Sequence, residues 1–201
     1  MPAKLLKYII FYKPCGVLSQ FTDSEGKKTL SDFGPFPKDV YPVGRLDFDS
    51  EGLLLLTNDD RTKHRLLEPR YGHSRTYLVQ VERIPTIEAI ERLKSGVVIE
   101  GKKTKEALVH RLDKEPEVPP RETPIRFRKN VSTAWLEIIL TEGRNRQVRK
   151  MTAAVGYPTL RLVRVTQGPL TIAGLKPGEH RELAKTEVRI LRESLGSSPQ
   201  E

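Results

Sequence analysis

The sequence predicts an α+β domain built around a largely antiparallel sheet. Apolar, β-branched runs typical of strands outnumber the segments with helical periodicity, and the two kinds do not alternate strictly along the chain. The 201 residues are enough for one domain with a substantial core. We expect that domain over residues 1–193 and a disordered tail over 194–201, with any subdomain boundary in the proline-rich stretch 113–124.

The first elements follow from local composition. Residues 5–12 are apolar and aromatic, and 53–57 contain four consecutive leucines, so both are predicted to be strands. A short helix is expected near residues 29–33. Residues 58–60, Asn-Asp-Asp, are a typical N-cap for a helix over 61–68.

The middle of the chain repeats these signals. Apolar and polar residues alternate over 76–82, which indicates a strand, and Pro85-Thr86 opens a segment with apolar residues at helical spacing. Residues 97–100 and 107–112 are further predicted strands.

Beyond the prolines, the pattern returns to strands around an amphipathic helix. Strands are expected over 131–140 and 160–165. The helix between them, 145–155, carries its apolar residues on one side, and a last short helix is expected over 182–192.

Charge is unevenly distributed along the chain. The net charge is +9, and between Arg121 and Arg164 ten basic residues face three acids. The ten are Arg121, Arg126, Arg128, Lys129, Arg144, Arg146, Arg149, Lys150, Arg161 and Arg164. Such a cluster is either a solvated basic face or, as we favour, a nucleic-acid surface.

Several classes of protein are disfavoured by what the sequence lacks. One cysteine, Cys15, cannot form an internal disulfide and is best explained by packing. The four histidines lack metal-ligand spacing, and there is neither a phosphate-binding loop nor a dinucleotide fingerprint. We therefore expect no metal, no cofactor, no membrane partner and a cytoplasmic location.

The candidate catalytic acids lie in residues 44–57, where an acidic loop bracketed by glycines runs into the leucine strand. Asp47, Asp49 and Glu51 compete, and their spacing does not choose among them. Asp47 could also simply cap a turn, since Asp is common there.

Two other segments could carry chemistry. Tyr77 lies on the alternating strand, where most tyrosines are core residues. Residues 142–151 place a glycine turn before a basic helix, and free N–H groups at such a helix start suit phosphate or a carboxylate. Arg149 follows the buried position Val148 and could lie along the edge of the core.

Together these segments resemble a pseudouridine synthase of the RsuA family, the group that acts on small- and large-subunit ribosomal RNA. The resemblance covers about residues 5–190, with Gly156 and Arg164 at family-like places. Its motifs are Lys-Pro-Cys-Gly-Val-Leu at 13–18, Gly-Arg-Leu-Asp at 44–47, Ser-Glu-Gly and four leucines from 50, the tyrosine strand 76–81, and the basic segment 142–151.

The resemblance implies a fold and a set of roles. It implies a sheet flanked by helices with an RNA-binding cleft across the middle. Asp47 would be the catalytic aspartate, Arg149 would form an ion pair with it, and Tyr77 would pack against the target uracil. The residues expected to bind RNA are Lys13, Arg45, Arg144, Asn145, Arg146, Gln147, Lys150 and Arg164.

The chain departs from the family pattern in two places. Members often carry an N-terminal RNA-binding domain of the S4 type, whereas the first family strand begins here at Leu5, so we expect that domain to be absent, as in the large-subunit branch. Asp60 stands where glycine is frequent, and we expect only a local change in the helix cap.

The leading hypothesis is therefore an isomerase that converts uridine to pseudouridine in ribosomal RNA, with 23S rRNA as the expected partner and a monomer as the active form. The alternatives are a non-catalytic RNA-binding or ribosome assembly protein on the same fold, and an aspartate-dependent nuclease. The absence of metal-ligand clusters disfavours the nuclease.

Overall fold

A computed structural model describes residues 5–125 and 131–196. Within them, eleven strands and four α-helices follow one another along the chain. The strands are β1 Tyr8–Lys13, β2 Tyr41–Pro42, β3 Glu51–Thr57, β4 Arg75–Glu82, β5 Val98–Ile99, β6 Lys102–Lys103, β7 Leu108–Arg111, β8 Thr133–Leu140, β9 Thr159–Gln167, β10 Leu170–Thr171 and β11 His180–Glu182. The α-helices are α1 Asp60–Leu67, α2 Ile87–Lys94, α3 Gln147–Ala154 and α4 Lys185–Gly196, and 3-10 turns occupy Leu30–Phe33 and Pro69–Tyr71.

One mixed sheet organises the fold. Its strands follow the order β11-β1-β3-β9-β4-β8-β7, while β10 pairs with β9 and β2 with β3. The pairing of β3 with β9 is parallel, at Glu51–Val163 and Gly52–Arg164, and the other pairs described in this sheet are antiparallel. The predicted α+β class with a largely antiparallel sheet is confirmed.

The four leucines of β3 are explained by burial on both faces of the sheet. Leu53 and Leu55 join the core between the sheet and helices α1 and α4. Leu54 and Leu56 join a second core, where aromatic residues of the loop after β1 cover the opposite face. A strand covered on both sides is apolar throughout, which is why the run does not alternate.

Helix starts agree with the local sequence signals. Asp59 accepts hydrogen bonds from the N–H groups of Arg61 and Thr62 at the start of α1. Asp60 is then the first helical residue, an exposed acid in the first turn, where the helix dipole favours negative charge. Thr86 caps α2 by accepting from the Ala89 N–H.

The end of the chain corrects one expectation. The predicted helix over 182–192 begins only at Lys185, because Glu182 belongs to β11 and pairs with Ile9 of β1. The helix then continues to Gly196, three residues into the predicted tail, since Leu195 packs into the same core as Leu191. Residues 197–201 lie outside the described part.

The proline-rich stretch 113–124 has neither helix nor strand, yet it is held against the sheet. The Pro119 carbonyl accepts a hydrogen bond from Arg161 Nη2 at 2.7 Å, and Arg121 Nε lies 3.2 Å from the buried carboxylate of Glu51. The Arg121 guanidinium also contacts the sulfur of Cys15. A subdomain boundary in this stretch stays a prediction.

The parallel contact between β3 and β9 requires a glycine. Gly52 has φ of +108°, and a Cβ built on it would lie 2.2 Å from the Arg164 carbonyl oxygen and 2.7 Å from the Arg164 nitrogen. Both are backbone atoms, so no side-chain rotation could relieve the overlap.

We expect Gly52→Ala to lower the free energy of unfolding by about 2–4 kcal/mol, because it adds both an unfavourable φ and a backbone clash. Urea unfolding measures the change. Gly101→Ala is the matched control, since Gly101 also has positive φ but has no other atom within 4 Å of the added Cβ. Equal losses in the two variants would show that φ alone matters and would refute the close-approach explanation.

Candidate active site

A cleft of about 630 Å³ lies at the centre of the sheet, where β4 and β9 meet the acidic loop and the start of α3. Eight of the eleven predicted site residues line it: Arg45, Asp47, Tyr77, Arg144, Asn145, Arg146, Gln147 and Arg164. Lys13, Arg149 and Lys150 are not among its lining residues.

The loop that carries Asp47 is held by its main chain. Ser19 both donates to the Leu46 carbonyl at 2.8 Å and accepts from the Leu46 N–H at 3.0 Å. The Ser50 N–H donates to the Asp47 carbonyl at 3.0 Å, and the Gly16 N–H to the Phe48 carbonyl at 2.8 Å. These bonds fix the position from which the Asp47 side chain enters the cleft.

The geometry separates the three candidate acids. Glu51 is 2% exposed, and both its oxygens bind Arg161, at 3.0 and 2.8 Å. Asp49 accepts two hydrogen bonds from the fork of Arg146, both at 3.0 Å. Asp47 alone of the three lines the cleft, and 28% of its side chain is accessible. The arrangement favours Asp47 as the acid that meets a substrate.

The ion pair of Asp47 differs from the expected one: Asp47 pairs with Arg146, and Arg149 pairs with Asp49. Arg146 Nη1 lies 3.5 Å from Asp47 Oδ2, whereas Arg149 Nη2 lies 3.4 Å from Asp49 Oδ2 and donates to the Asp49 carbonyl at 2.9 Å. The reason is the position of each side chain. Arg149 is largely buried beneath the loop, whereas Arg146 precedes the helix and is exposed at the cleft.

The backbone of Arg146 is itself unusual. It has φ of +50°, in the left-handed region, which costs a residue with a side chain roughly 1 kcal/mol or more. The positive charge of the Arg146 guanidinium is balanced by the carboxylates of Asp47 and Asp49. Burial raises the pKa of Asp49, but the hydrogen bonds from Arg146 and the charge of Arg149 outweigh it and bring that pKa below its ordinary value.

Tyr77 and Arg164 lie opposite each other on β4 and β9. Arg164 is 4% exposed and donates from Nε to the Leu53 carbonyl at 2.8 Å. Burial lowers the pKa of Arg164, and the nearby Tyr77 phenol opposes that effect. Arg164, which was predicted to bind RNA, is therefore a buried cation in the floor of the cleft and not an exposed phosphate contact.

Lys13 was predicted to bind RNA, but it is buried. Its side chain is buried, and Nζ donates to the carbonyls of Val17 at 2.7 Å, Pro14 at 2.9 Å and Phe48 at 3.5 Å. As the last residue of β1, it points beneath the loop and joins the turn after β1 to the segment beside Asp47. Burial lowers the pKa of Lys13 to about 8.

Gln147 and Arg144, which were also predicted to bind RNA, form hydrogen bonds within the protein instead. Gln147 is 4% exposed; it donates to Glu142 Oε1 at 2.6 Å and accepts from the Arg144 N–H at 2.9 Å. The Arg144 guanidinium donates to the carbonyls of Ile99 at 2.8 Å and Lys102 at 3.1 Å. Both side chains therefore already have hydrogen-bond partners within the protein.

The predicted basic surface is smaller than the charge count implies. Lys150 pairs with Glu100 at 2.6 Å, and Arg161 is buried against Glu51. Arg126, Arg128 and Lys129 lie outside the described residues. The predicted RNA-binding residues that are both exposed and at the cleft are Arg45, Asn145 and Arg146.

Ser19, Arg75 and Gln167 are among the polar lining residues that sequence reasoning missed. Arg75 could have been found, because it is two residues before Tyr77 on a strand and shares its face. Ser19 and Gln167 come to the cleft only through pairing with distant segments.

Comparison with known proteins identifies the family of this chain. A family model described as RNA pseudouridylate synthase matches residues 7–154, and the chain belongs to that family. Ribosomal large subunit pseudouridine synthase E of Xanthomonas axonopodis pv. citri is 52% identical over 92% of this chain and 97% of its own length. The resemblance inferred from the motifs is therefore confirmed, and the chain is an enzyme of the isomerase class.

Other relatives agree. Ribosomal large subunit pseudouridine synthase B of Bacillus subtilis is 37% identical over 92% of this chain and 71% of its own length. A crystal structure of a pseudouridylate synthase superposes with a TM-score of 0.78 at 26% identity, covering 95% of this chain and 76% of that one. The predicted catalytic fold is confirmed.

The described residues contain neither a candidate metal site nor a membrane-spanning helix. Residues 5–125 and 131–196 contain no group of three or more His, Cys, Asp or Glu placed to hold a metal ion. The α-helices of these ranges lack the length and the hydrophobicity that a membrane span requires.

The buried amine of Lys13 predicts a pH dependence of stability. Its pKa is about 8 in the folded chain against an ordinary 10.5, so the unfolded chain binds more protons between these values. The contribution of Lys13 to the free energy of unfolding therefore rises from pH 8 to 10.5, by about 3 kcal/mol, and is lost as pH falls through 8.

Urea unfolding of wild type and Lys13→Met from pH 7.5 to 10.5 measures this difference. We expect wild type to gain stability relative to the variant as pH rises. Lys38→Met, at an exposed lysine, is the control and should run parallel to wild type. Parallel curves for Lys13→Met as well would contradict the depressed pKa.

Proposed function

We propose that this protein converts a uridine of large-subunit ribosomal RNA to pseudouridine, with Asp47 as the catalytic carboxylate. One observation carries the proposal: Asp47 enters a central cleft beside Arg146, and the same cleft is lined by Tyr77 and Arg164. The large-subunit target is supported by the relatives, which are named for it.

The reaction explains the shape of the site. The C1′–N1 bond breaks, the base turns, and a C1′–C5 bond forms; C5 loses its proton and N1 ends protonated, so product and substrate are isomers. A stacked uracil cannot turn, so the nucleotide has to leave the helix. A cleft of about 630 Å³ can hold one extruded nucleotide.

The charges around Asp47 suit this chemistry. A carboxylate acts as nucleophile or base only when ionised. Arg146 Nη1, 3.5 Å from Asp47 Oδ2, places a positive charge beside this carboxylate. Tyr77 offers a flat aromatic ring on which the uracil can stack.

RNA binding is assigned to the exposed groups at the cleft. Arg45, Asn145 and Arg146 can reach phosphate and ribose around the target nucleotide. These contacts offset the cost of extruding the base. We further propose that the protein acts as a monomer in the cytoplasm, where its ribosomal RNA substrate would be made.

The first test compares two neighbouring acids. Asp47→Asn should abolish pseudouridine formation in unmodified 23S rRNA, mapped by carbodiimide treatment and primer extension, because no carboxylate remains in the cleft. Asp49→Asn should keep activity at a level about 10-fold lower, since it weakens only the side-chain contacts of Asp49 with Arg146 and Arg149.

Full activity of Asp47→Asn would refute its role. If wild type itself formed no pseudouridine in any ribosomal RNA, that result would favour the alternative of an RNA-binding or assembly protein.

The second test concerns Arg149. Arg149→Ala should lower the single-turnover rate more than RNA affinity measured by filter binding, because Arg149 holds the loop main chain and is only 13% exposed. Lys150→Ala, the adjacent residue with a pairing to Glu100, is the control and should alter the rate less than about 3-fold. Equal losses of rate and affinity for Arg149→Ala would make it a phosphate contact.

A further inference from the structure

Four polar side chains from two neighbouring strands form the floor of the cleft. In the β4–β9 register, Arg75 lies opposite Gln167 and Tyr77 lies opposite Arg164. All four line the cleft. The floor is thus built from cross-strand neighbours and not from the loops that carry Asp47 and Arg146.

An irregularity in β9 brings Gln167 to this floor. Residues three apart on a regular strand point to opposite faces of the sheet. Here Thr76 pairs with Thr166 and Tyr77 with Arg164, so Val165 is an extra residue on β9. Such a bulge re-aims the side chains that follow it. Gln167 consequently faces the same cleft as Arg164.

Gln167 is unusual in being buried without internal partners. Its side chain is 0% exposed, and among the described residues neither Oε1 nor Nε2 makes a hydrogen bond. Arg164 Nη2 is in the same condition. Buried polar atoms are nearly always hydrogen-bonded, so an acceptor and two donors at the floor of an active cleft call for a ligand.

We propose that Gln167 and Arg164 bind the Watson–Crick edge of the extruded uracil, which makes Gln167 a base-binding residue of this enzyme. The proposal rests on the proposed function. Uracil presents O2, N3–H and O4, that is acceptor, donor and acceptor. Gln167 Oε1 accepts from N3–H, Gln167 Nε2 donates to one carbonyl oxygen, and Arg164 Nη2 donates to the other.

This arrangement also suits the turn of the base. Rotation of the freed uracil about its N3–C6 axis puts C5 where N1 was and exchanges O2 with O4. The order acceptor, donor, acceptor is unchanged, so Gln167 and Arg164 can hold the base before and after the turn. The edge of cytosine is asymmetric and would lose its contacts on rotation.

The test replaces Gln167 with methionine, which has a similar volume and cannot form these bonds. We expect Gln167→Met to lower kcat/KM on unmodified 23S rRNA by about 10- to 100-fold. Its melting temperature should equal or exceed that of wild type, because an unsatisfied buried amide is removed.

Gln80→Met is the matched control: Gln80 is on the same strand pair, bonds to Thr133 and does not line the cleft. It should change kcat/KM by less than about 2-fold.

The outcomes separate the two proposals. If wild type forms no pseudouridine, the proposed function fails. If wild type is active and Gln167→Met keeps kcat/KM within 2-fold, the assignment of Gln167 is overturned. A loss of activity accompanied by a clear fall in melting temperature would also overturn it, because a structural role would then suffice.

Discussion

The close parallel contact between β3 and β9 determines where the site lies. The absence of a side chain at Gly52 lets the two backbones meet at Arg164. Glu51, one residue before Gly52 on β3, then forms a buried bidentate ion pair with Arg161 of β9. Because β3 is fixed at this point, the acidic loop that precedes it ends beside β9. The carboxylate of Asp47 and the polar floor on β9 therefore belong to one cleft.

The basic residues divide into two groups with different physical roles. Arg161 and Arg164 are buried, and each is stabilised by oxygens of β3. Arg45 and Arg146 remain exposed at the cleft, where their charge is available to phosphate. A net charge counted from sequence does not distinguish these roles, since only burial decides which cations a polyanion can reach. The RNA surface at the cleft therefore depends on few exposed cations.

Local signals accounted for most of the elements. The longer strands, the cap at Asp59 and the helix after Thr86 each depend on residues close together in sequence, and they formed as predicted. The short strands β2, β6, β10 and β11 were missed, because two or three residues carry no periodicity and pair only where a neighbour offers an edge. The motifs gave the family, yet membership in a motif does not say which way a side chain points. Lys13 and Gln147 illustrate this, since both lie in motifs and both are buried.

The sequence by itself determined the fold class, the family and a short set of acids and arginines, because these follow from local pattern and from motifs written in order along the chain. The tertiary structure decided which acid faces the cleft, which arginine reaches Asp47, and that Gln167 lies on its floor. These choices depend on strand register, a bulge at Val165 and contacts such as that between Asp49 and Arg149, 100 residues apart. Register and long-range packing are properties of the whole folded chain, so no local segment could have revealed them.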